Sequence, residues 1–287
     1  MRGKLRGALK ALAILLLFAA FAFPLYWMIT MSFKPQPEWN PTGQTIWWPQ
    51  NPTWDNYKDV LGLTSQNTQF FQASSTDASQ AILHSFIAAT GGTLIAMAVG
   101  VFAAFGIGRF RAGGRILPFQ ILQLRMFPPV AIIIPLLIML AYLSLVNTFW
   151  GLWLVYAAVT FPFVVWLMRS FFQELPREIG EAAVVDGCTQ WGAFFKAVLP
   201  NVKGGLAATM LFVFILNWSD FLIALVISGD NTTTAPVFLN GLQSAGAGQE
   251  YGPQAALGII LILPPAILGL AIQRYLVRGL TFGAIKR

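Results

Sequence analysis

Residues 181–200 read Glu-Ala-Ala-Val-Val-Asp-Gly-Cys-Thr-Gln-Trp-Gly-Ala-Phe-Phe-Lys-Ala-Val-Leu-Pro, and the rest of the chain is arranged around this stretch. It lies between two long apolar runs, carries most of the charge in its neighbourhood, and predicts a short helix, a glycine turn and a second helix. Pro176 suits the first helical turn, where a missing N–H costs nothing, and Glu178 falls where the helix dipole favours an anion. Gly187 suits a left-handed cap, and Thr189 can cap the helix that follows. The small side chains of Ala182 and Ala183 leave one side of the first helix low enough for another protein to approach closely. The stretch reads as a docking helix.

Its surroundings are those of a membrane protein. Of the 287 residues, 56% are hydrophobic and only 10% charged, with a mean hydropathy of +0.66. A water-soluble domain carries about a quarter charged residues, so the chain is an integral membrane protein. The single Cys188 cannot form an internal disulfide, and one cysteine with the lone His84 supplies no metal-ligand cluster. His84 fits a polar position at the end of a span. The formal charge of +7 does not point to nucleic acid, because the basic residues cluster at the ends of apolar runs and no aromatic-basic groove pattern accompanies them.

Six apolar segments predict six transmembrane helices in one all-α, polytopic domain over residues 1–287, with spans at about 11–33, 81–107, 116–142, 148–168, 204–228 and 252–272. The first begins like a signal peptide, after Arg2, Lys4, Arg6 and Lys10, but its apolar run is long enough to span a bilayer and reads as a retained helix. Residues 34–80 form a polar loop in which Trp39, Trp47, Trp48 and Trp54 suit the lipid boundary. The second span is dense in Gly and Ala, which favours close helix packing in lipid. The third contains Arg125, Pro128, Pro129 and Pro135 and is expected to kink or break partway across. The fifth contains Asn217, Trp218, Ser219 and Asp220, the sixth Pro264 and Pro265, and a polar loop covers 229–251.

The basic residues give the orientation. The side holding both termini, the 109–115 loop and the 169–203 loop carries 15 Lys and Arg, against 2 on the other, Lys34 and Lys58. By the positive-inside rule both termini and the docking stretch are cytoplasmic, within reach of a cytoplasmic partner. No G-x-x-x-x-G-K-[ST] occurs, so the chain has no phosphate cradle of its own and is not read as an enzyme.

The spacing of Glu181, Ala182 and Ala183, three residues, then Gly187, with Leu199 and Pro200 at the end, resembles the signature loop of the membrane subunits of binding-protein-dependent ABC importers. Asp186 with Gly187, Trp191 and Leu199 with Pro200 make it most similar to the carbohydrate branch, the maltose-transporter-type second permease. With its flanking spans the resemblance covers nearly the whole chain. It implies a type I ABC importer permease fold in a bacterial or archaeal cytoplasmic membrane. It also implies a heterodimer with a second permease subunit, two ATP-binding subunits, and an extracytoplasmic solute-binding protein that delivers a sugar. No cofactor is bound by this chain, ATP and Mg belonging to the ATPase subunits.

In such a system Glu181, Ala182, Ala183, Asp186, Gly187 and Pro200 form the ATPase-coupling site, seated in a groove on the motor subunit. Gly241, Gln243, Ser244 and Gly246 match in position the loop that reaches into the binding protein, and a surface loop without that task is the alternative. The terminal pattern from Tyr275 onward resembles the family's tail, a second ATPase contact through residues 278–287 or a basic anchor at the membrane surface. Arg125 and Asp220, the charges well inside spans, either form a structural ion pair or line a pathway with Asn217 and Trp218, hydrogen-bonding and stacking on a sugar. Relatives more often carry Trp-Asn-Glu at the second of these sites and an uncharged residue at the first, so Arg125 leaves an anionic sugar open. The rival readings are an ABC permease for a non-sugar solute, an ion-coupled secondary transporter, for which no inverted repeat is visible, and a membrane hydrolase, for which there is no Ser/His/Asp cluster.

Overall fold

The computed structural model describes residues 2–39, 44–63, 77–244 and 248–282. The chain divides into two units, one of Met1–Gln80 with Phe238–Leu263, the other of Ala81–Val237 with Pro264–Arg287.

In the first unit α1 (Arg2–Ser32) opens on a basic stretch of sequence, and its Leu9–Ser32 part is apolar and long enough to cross a bilayer. The loop that follows folds back on the end of α1 and ends in α2 (Asp55–Val60). Lys34 is buried, donates from Nζ to the Ile46 carbonyl and lies 4.4 Å from the Trp27 ring centroid. The buried Glu38 carboxylate accepts the Gln50 and Asn51 N–H groups at 3.0 and 3.1 Å. Asn56 Nδ2 donates to the Ser32 and Lys34 carbonyls, both at 2.8 Å. Lys34, Glu38 and Asn56 thus each have a partner, as burial away from water demands. The tryptophans expected at the lipid boundary serve this packing too. Trp39 Nε1 donates to the Lys34 carbonyl at 2.8 Å, Trp47 meets Trp27 edge-on at 5.9 Å, and Trp54 meets Phe33 edge-on at 4.8 Å. Trp48 stays exposed.

The second unit is built on α3 (Ala78–Phe110), which leads through α4 (Leu117–Gln123) and α5 (Pro129–Tyr142) to α6 (Phe149–Glu174). A Cβ added to Gly92 or Gly100 would strike the side chains of Tyr156 and Val164, so these glycines let α3 and α6 approach closely. The proline-rich third segment breaks as expected. Leu117–Met126 turns through 92° into Pro129–Tyr142, with Pro128 extended at the corner and Pro129 opening the new helix.

Beyond α6 come α7 (Arg177–Val185) and α8 (Gln190–Ala193), then one π-helical turn (Phe194–Val198) and α9 (Leu199–Asn201). After α9 the chain bends by 77° into α10 (Lys203–Trp218). The fifth predicted span is not one rod. At about 1.5 Å per residue α10 falls short of an apolar layer about 30 Å thick, and the chain breaks at residues 219–221 before continuing as α11 (Leu222–Ile227). The polar loop expected over 229–251 contains α12 (Ala235–Gly241), tied down by Ala235 N–H donating to Ser85 Oγ at 2.7 Å. A short antiparallel pair follows, β1 (Gln243–Ser244) against β2 (Gly248–Gln249), with Gln243 opposite Gln249 and Ser244 opposite Gly248. The last element is α13 (Tyr251–Phe282), where Gly252 allows the helix to abut Asn56 and Trp39 of the first unit. Apart from the one strand pair the described fold is all-α. Four helices are long and apolar enough to cross a membrane, and counting each bent pair as one span gives six.

Candidate functional site: an exposed hairpin and a broken-helix cleft

The hairpin of α7 and α8 follows from its caps. Pro176 stands one position outside the helix rather than in its first turn, with an extended ψ of 139°, and Glu178 occupies the first turn. At the other end Gly187 takes φ +90°, Cys188 N–H donates to the Ala183 carbonyl at 3.0 Å, and Gly187 N–H donates to Val184 at 3.0 Å. This is a Schellman ending, which a residue with a Cβ would strain. Thr189 Oγ1 accepts the Gly192 N–H at 3.1 Å and starts α8. Glu181, Ala182, Asp186 and Gly187 are exposed, Ala183 is half-buried, and Pro200 is exposed in α9 just before the 77° bend.

Sequence reading missed what holds this hairpin. Phe194 is 1% exposed, and its ring lies 4.6 Å from that of Phe105, 5.5 Å from Phe102 and 6.3 Å from Phe172. With the buried Val198 and Met168 the Phe194, Phe105 and Phe172 rings form one core shared by α3, α6 and the turn after α8, and Phe102 borders it. Val185, at the end of α7, and Trp191 and Phe195, which meet the Phe102 ring at 5.8 and 6.2 Å, are exposed by 87%, 64% and 51%. A groove of about 440 Å³ runs under the hairpin, lined by Arg109, Arg177, Glu181, Val184 and Gln190 among others. Arg109 closes the end of α6 by donating to the Leu175 and Arg177 carbonyls. A surface that is apolar, close to the backbone and rimmed by charge is suited to a protein groove, and its buried root packs it against α3 and α6.

The second set of predicted residues lies at the two helix breaks. Arg125 sits in the single turn Leu124–Met126 ahead of the α4–α5 corner, its guanidinium 4.7 Å from the Phe163 ring centroid. It lines a largely apolar cleft of about 270 Å³ with Phe127, Pro129, Val155, Pro162 and Ile223. Asp220 sits in the α10–α11 break, where its Oδ2 accepts the Ala224 N–H at 3.1 Å and so satisfies one of the free donors at the start of α11. Arg125 and Asp220 feel each other's charge, and the Tyr156 hydroxyl lies beside the Asp220 carboxylate, but the two make no direct ion pair. The ion-pair alternative is therefore corrected to a longer-range attraction. Asn217 and Trp218 are both 4% exposed. Asn217 Nδ2 donates to Thr93 Oγ1 at 3.1 Å, and Trp218 stacks on Phe214 at 5.8 Å, so in this conformation both side chains are occupied in packing.

Among the loop residues, Gly241 ends α12 in an exposed position and Gln243 and Ser244 form β1, while Gly246 lies outside the described residues. Glu250 follows β2 with its Oε2 shielded and without a hydrogen-bond partner, and burial, then the Asp59 carboxylate, push it above the ordinary range. His84 meets the Thr233 carbonyl at 3.2 Å and the Phe149 ring edge-on at 5.4 Å. The predicted tail contact at 278–287 lies partly outside the described residues, α13 continuing as backbone to Phe282. No group of three potential metal ligands occurs among the described residues.

The family model described as "Binding-protein-dependent transport system inner membrane component" matches residues 96–282. The trehalose/maltose transport system permease protein MalG of Thermococcus litoralis is 31% identical over 284 residues, 98% of each chain. A probable ABC transporter permease protein, y4oR, of Sinorhizobium fredii is 32% identical over 270 residues, 93% of this chain and 91% of that one. Among solved structures, a bacterial ABC transporter involved in import of the acidic polysaccharide alginate has a chain that superposes with a TM-score of 0.76 at 19% identity, covering 96% of this chain and 98% of that one.

Proposed function

We propose, on the premise that this chain belongs to the family of binding-protein-dependent transport system inner membrane components, that it is the membrane-spanning permease subunit of an ATP-driven ABC importer for a sugar or oligosaccharide. The sugar assignment is supported by the trehalose/maltose permease relative, which matches from end to end. The working assembly is this chain, a second related permease, two ATP-binding subunits that carry ATP and Mg, and a solute-binding protein outside. Both termini and the hairpin face the cytoplasm of a bacterial or archaeal cell.

The observation that carries the mechanism is the pairing of an exposed apolar tip with a buried aromatic root in one hairpin. Ala182 and Ala183 allow an ATPase groove to approach the backbone, Glu181 and Asp186 make polar contacts at its rim, and Gly187 holds the turn. When nucleotide draws the ATPase subunits together, the hairpin moves, and Phe194 carries that movement into α3 and α6. The packed spans then exchange between inward-facing and outward-facing arrangements. At the α4–α5 and α10–α11 breaks, Arg125 and Asp220 present charge where helix ends leave backbone groups free, the arrangement expected of a substrate path through a membrane bundle. Asn217 and Trp218 shape the wall behind Asp220. The loop residues Gly241, Gln243, Ser244 and Gly246 meet the binding protein.

Vesicles containing the whole assembly test this reading. Uptake of labelled trehalose or maltose is expected only with ATP inside and loaded binding protein outside. Uptake driven by a proton gradient without ATP would mark an ion-coupled carrier instead.

A further inference from the structure

At the end of the α3–α6 pair that carries the hairpin, three arginines converge without a carboxylate. The turn after α3 is built from Arg111, Gly113 and Gly114 at φ +54°, +73° and +67°, and it folds the 111–115 segment back. There Arg111, Arg115 and Arg169 line a pocket of about 300 Å³ with Gln173, Ile107 and Gly114. Among the described residues none of these three guanidinium groups makes a hydrogen bond or ion pair, and Arg169 Nε is shielded from solvent as well. Arg109, by contrast, is spent on the carbonyls at the end of α6.

The shielded, unpartnered Arg169 Nε–H needs an acceptor, and three like charges around one cavity, Arg111 and Arg115 at its exposed side, need an anion. The residues bracketing the arginines say which kind. Phe110, Ile116 and Phe119 are exposed by 63%, 67% and 55%, an apolar rim that a water-soluble anion would not require and that acyl chains would cover. We infer that this pocket binds the phosphate of an anionic phospholipid from the leaflet on the hairpin side. The lipid bridges the turn after α3 to α6, steadying the two helices that hold the root of the hairpin. The inference rests on the membrane placement and not on the identity of the transported solute.

The test uses the complete assembly in phosphatidylcholine nanodiscs with and without phosphatidylglycerol, read by native mass spectrometry and thermal melting. Phosphatidylglycerol is expected to stay bound and to raise the melting temperature. The R111Q/R115Q variant is expected to hold it roughly thirtyfold more weakly, while R111K/R115K retains most of the binding. Should R111Q/R115Q not assemble, Gln173→Glu places a carboxylate in the same pocket and is expected to lower retention in the same way. Undiminished phosphatidylglycerol binding in these variants overturns the inference. So does an equal rise in melting temperature from inorganic phosphate in neutral detergent, which would make this a site for a soluble anion, and so does efficient cross-linking of the Arg115→Cys variant through that position to an ATPase subunit. Solute uptake is not the readout, so failure of the sugar assignment leaves these results interpretable.

Discussion

The Phe194 ring packs 4.6 Å from the Phe105 ring, centroid to centroid, and through this contact an otherwise exposed hairpin is rooted in α3. The caps fix the shape of the hairpin and the aromatic root fixes its attachment. On the proposed coupling role, a load applied at Ala182 or Trp191 would be borne by the tightly packed α3–α6 pair and not absorbed by a loose loop.

Replacing Phe194 with Ala empties the centre of that cluster. The expected cost is about 3–5 kcal/mol of stability, and ATP hydrolysis should no longer respond to loaded binding protein. Phe194→Leu keeps most of the apolar volume and should fold while coupling poorly. Thermal melting alongside stimulated ATPase activity separates the two, and a fully coupled F194A assembly would remove the root from the mechanism.

At the tip the reverse separation is expected. Ala182 is exposed and makes no core contact, so Ala182→Arg should leave melting within about 0.5 kcal/mol of wild type. Uptake should nonetheless fall severely, because the added side chain holds the ATPase groove away from the helix. Wild-type uptake in this variant would exclude close docking at that position.

The tip could be read from the sequence because its determinants are local. Gly187 and Thr189 act within a few residues of themselves, and the corner at Pro128 and Pro129 follows from ring geometry alone. The root could not, since Phe105 and Phe194 are far apart in a chain containing 24 phenylalanines. The break at 219–221 has neither proline nor glycine, yet Ser219 and Asp220 are residue types that cap helices, and that signal was available.

Glu250 gives a pH dependence whose sign follows from its surroundings. Burial and Asp59 raise its folded-state value above the ordinary 4.5, so the folded chain keeps a proton that the unfolded chain has lost. Stability contributed by this group is present below about the ordinary value and is lost as pH rises through the window up to the raised folded value. Glu250→Gln should therefore melt higher than wild type at neutral pH and show less decline across that window. Identical pH profiles for the two proteins would show that Glu250 does not titrate as its environment dictates.

Asp220 does two jobs that substitution can divide. Its carboxylate accepts the Ala224 N–H at 3.1 Å, and its charge faces Arg125 across the two helix breaks. Asp220→Asn retains an acceptor oxygen for the cap but removes the charge, whereas Asp220→Ala removes both. If the charge serves the path, D220N should melt close to wild type while its uptake rate or sugar preference changes. D220A should additionally lose about 1 kcal/mol, the usual contribution of a helix cap. Arg125→Gln removes the opposite charge and should shift preference between neutral and anionic sugars, since Arg125 is the charged residue among those lining that cleft. If D220N and R125Q transport with unchanged rate and selectivity, the two charges belong to the architecture of the breaks, and the solute must pass elsewhere or be held by the second permease.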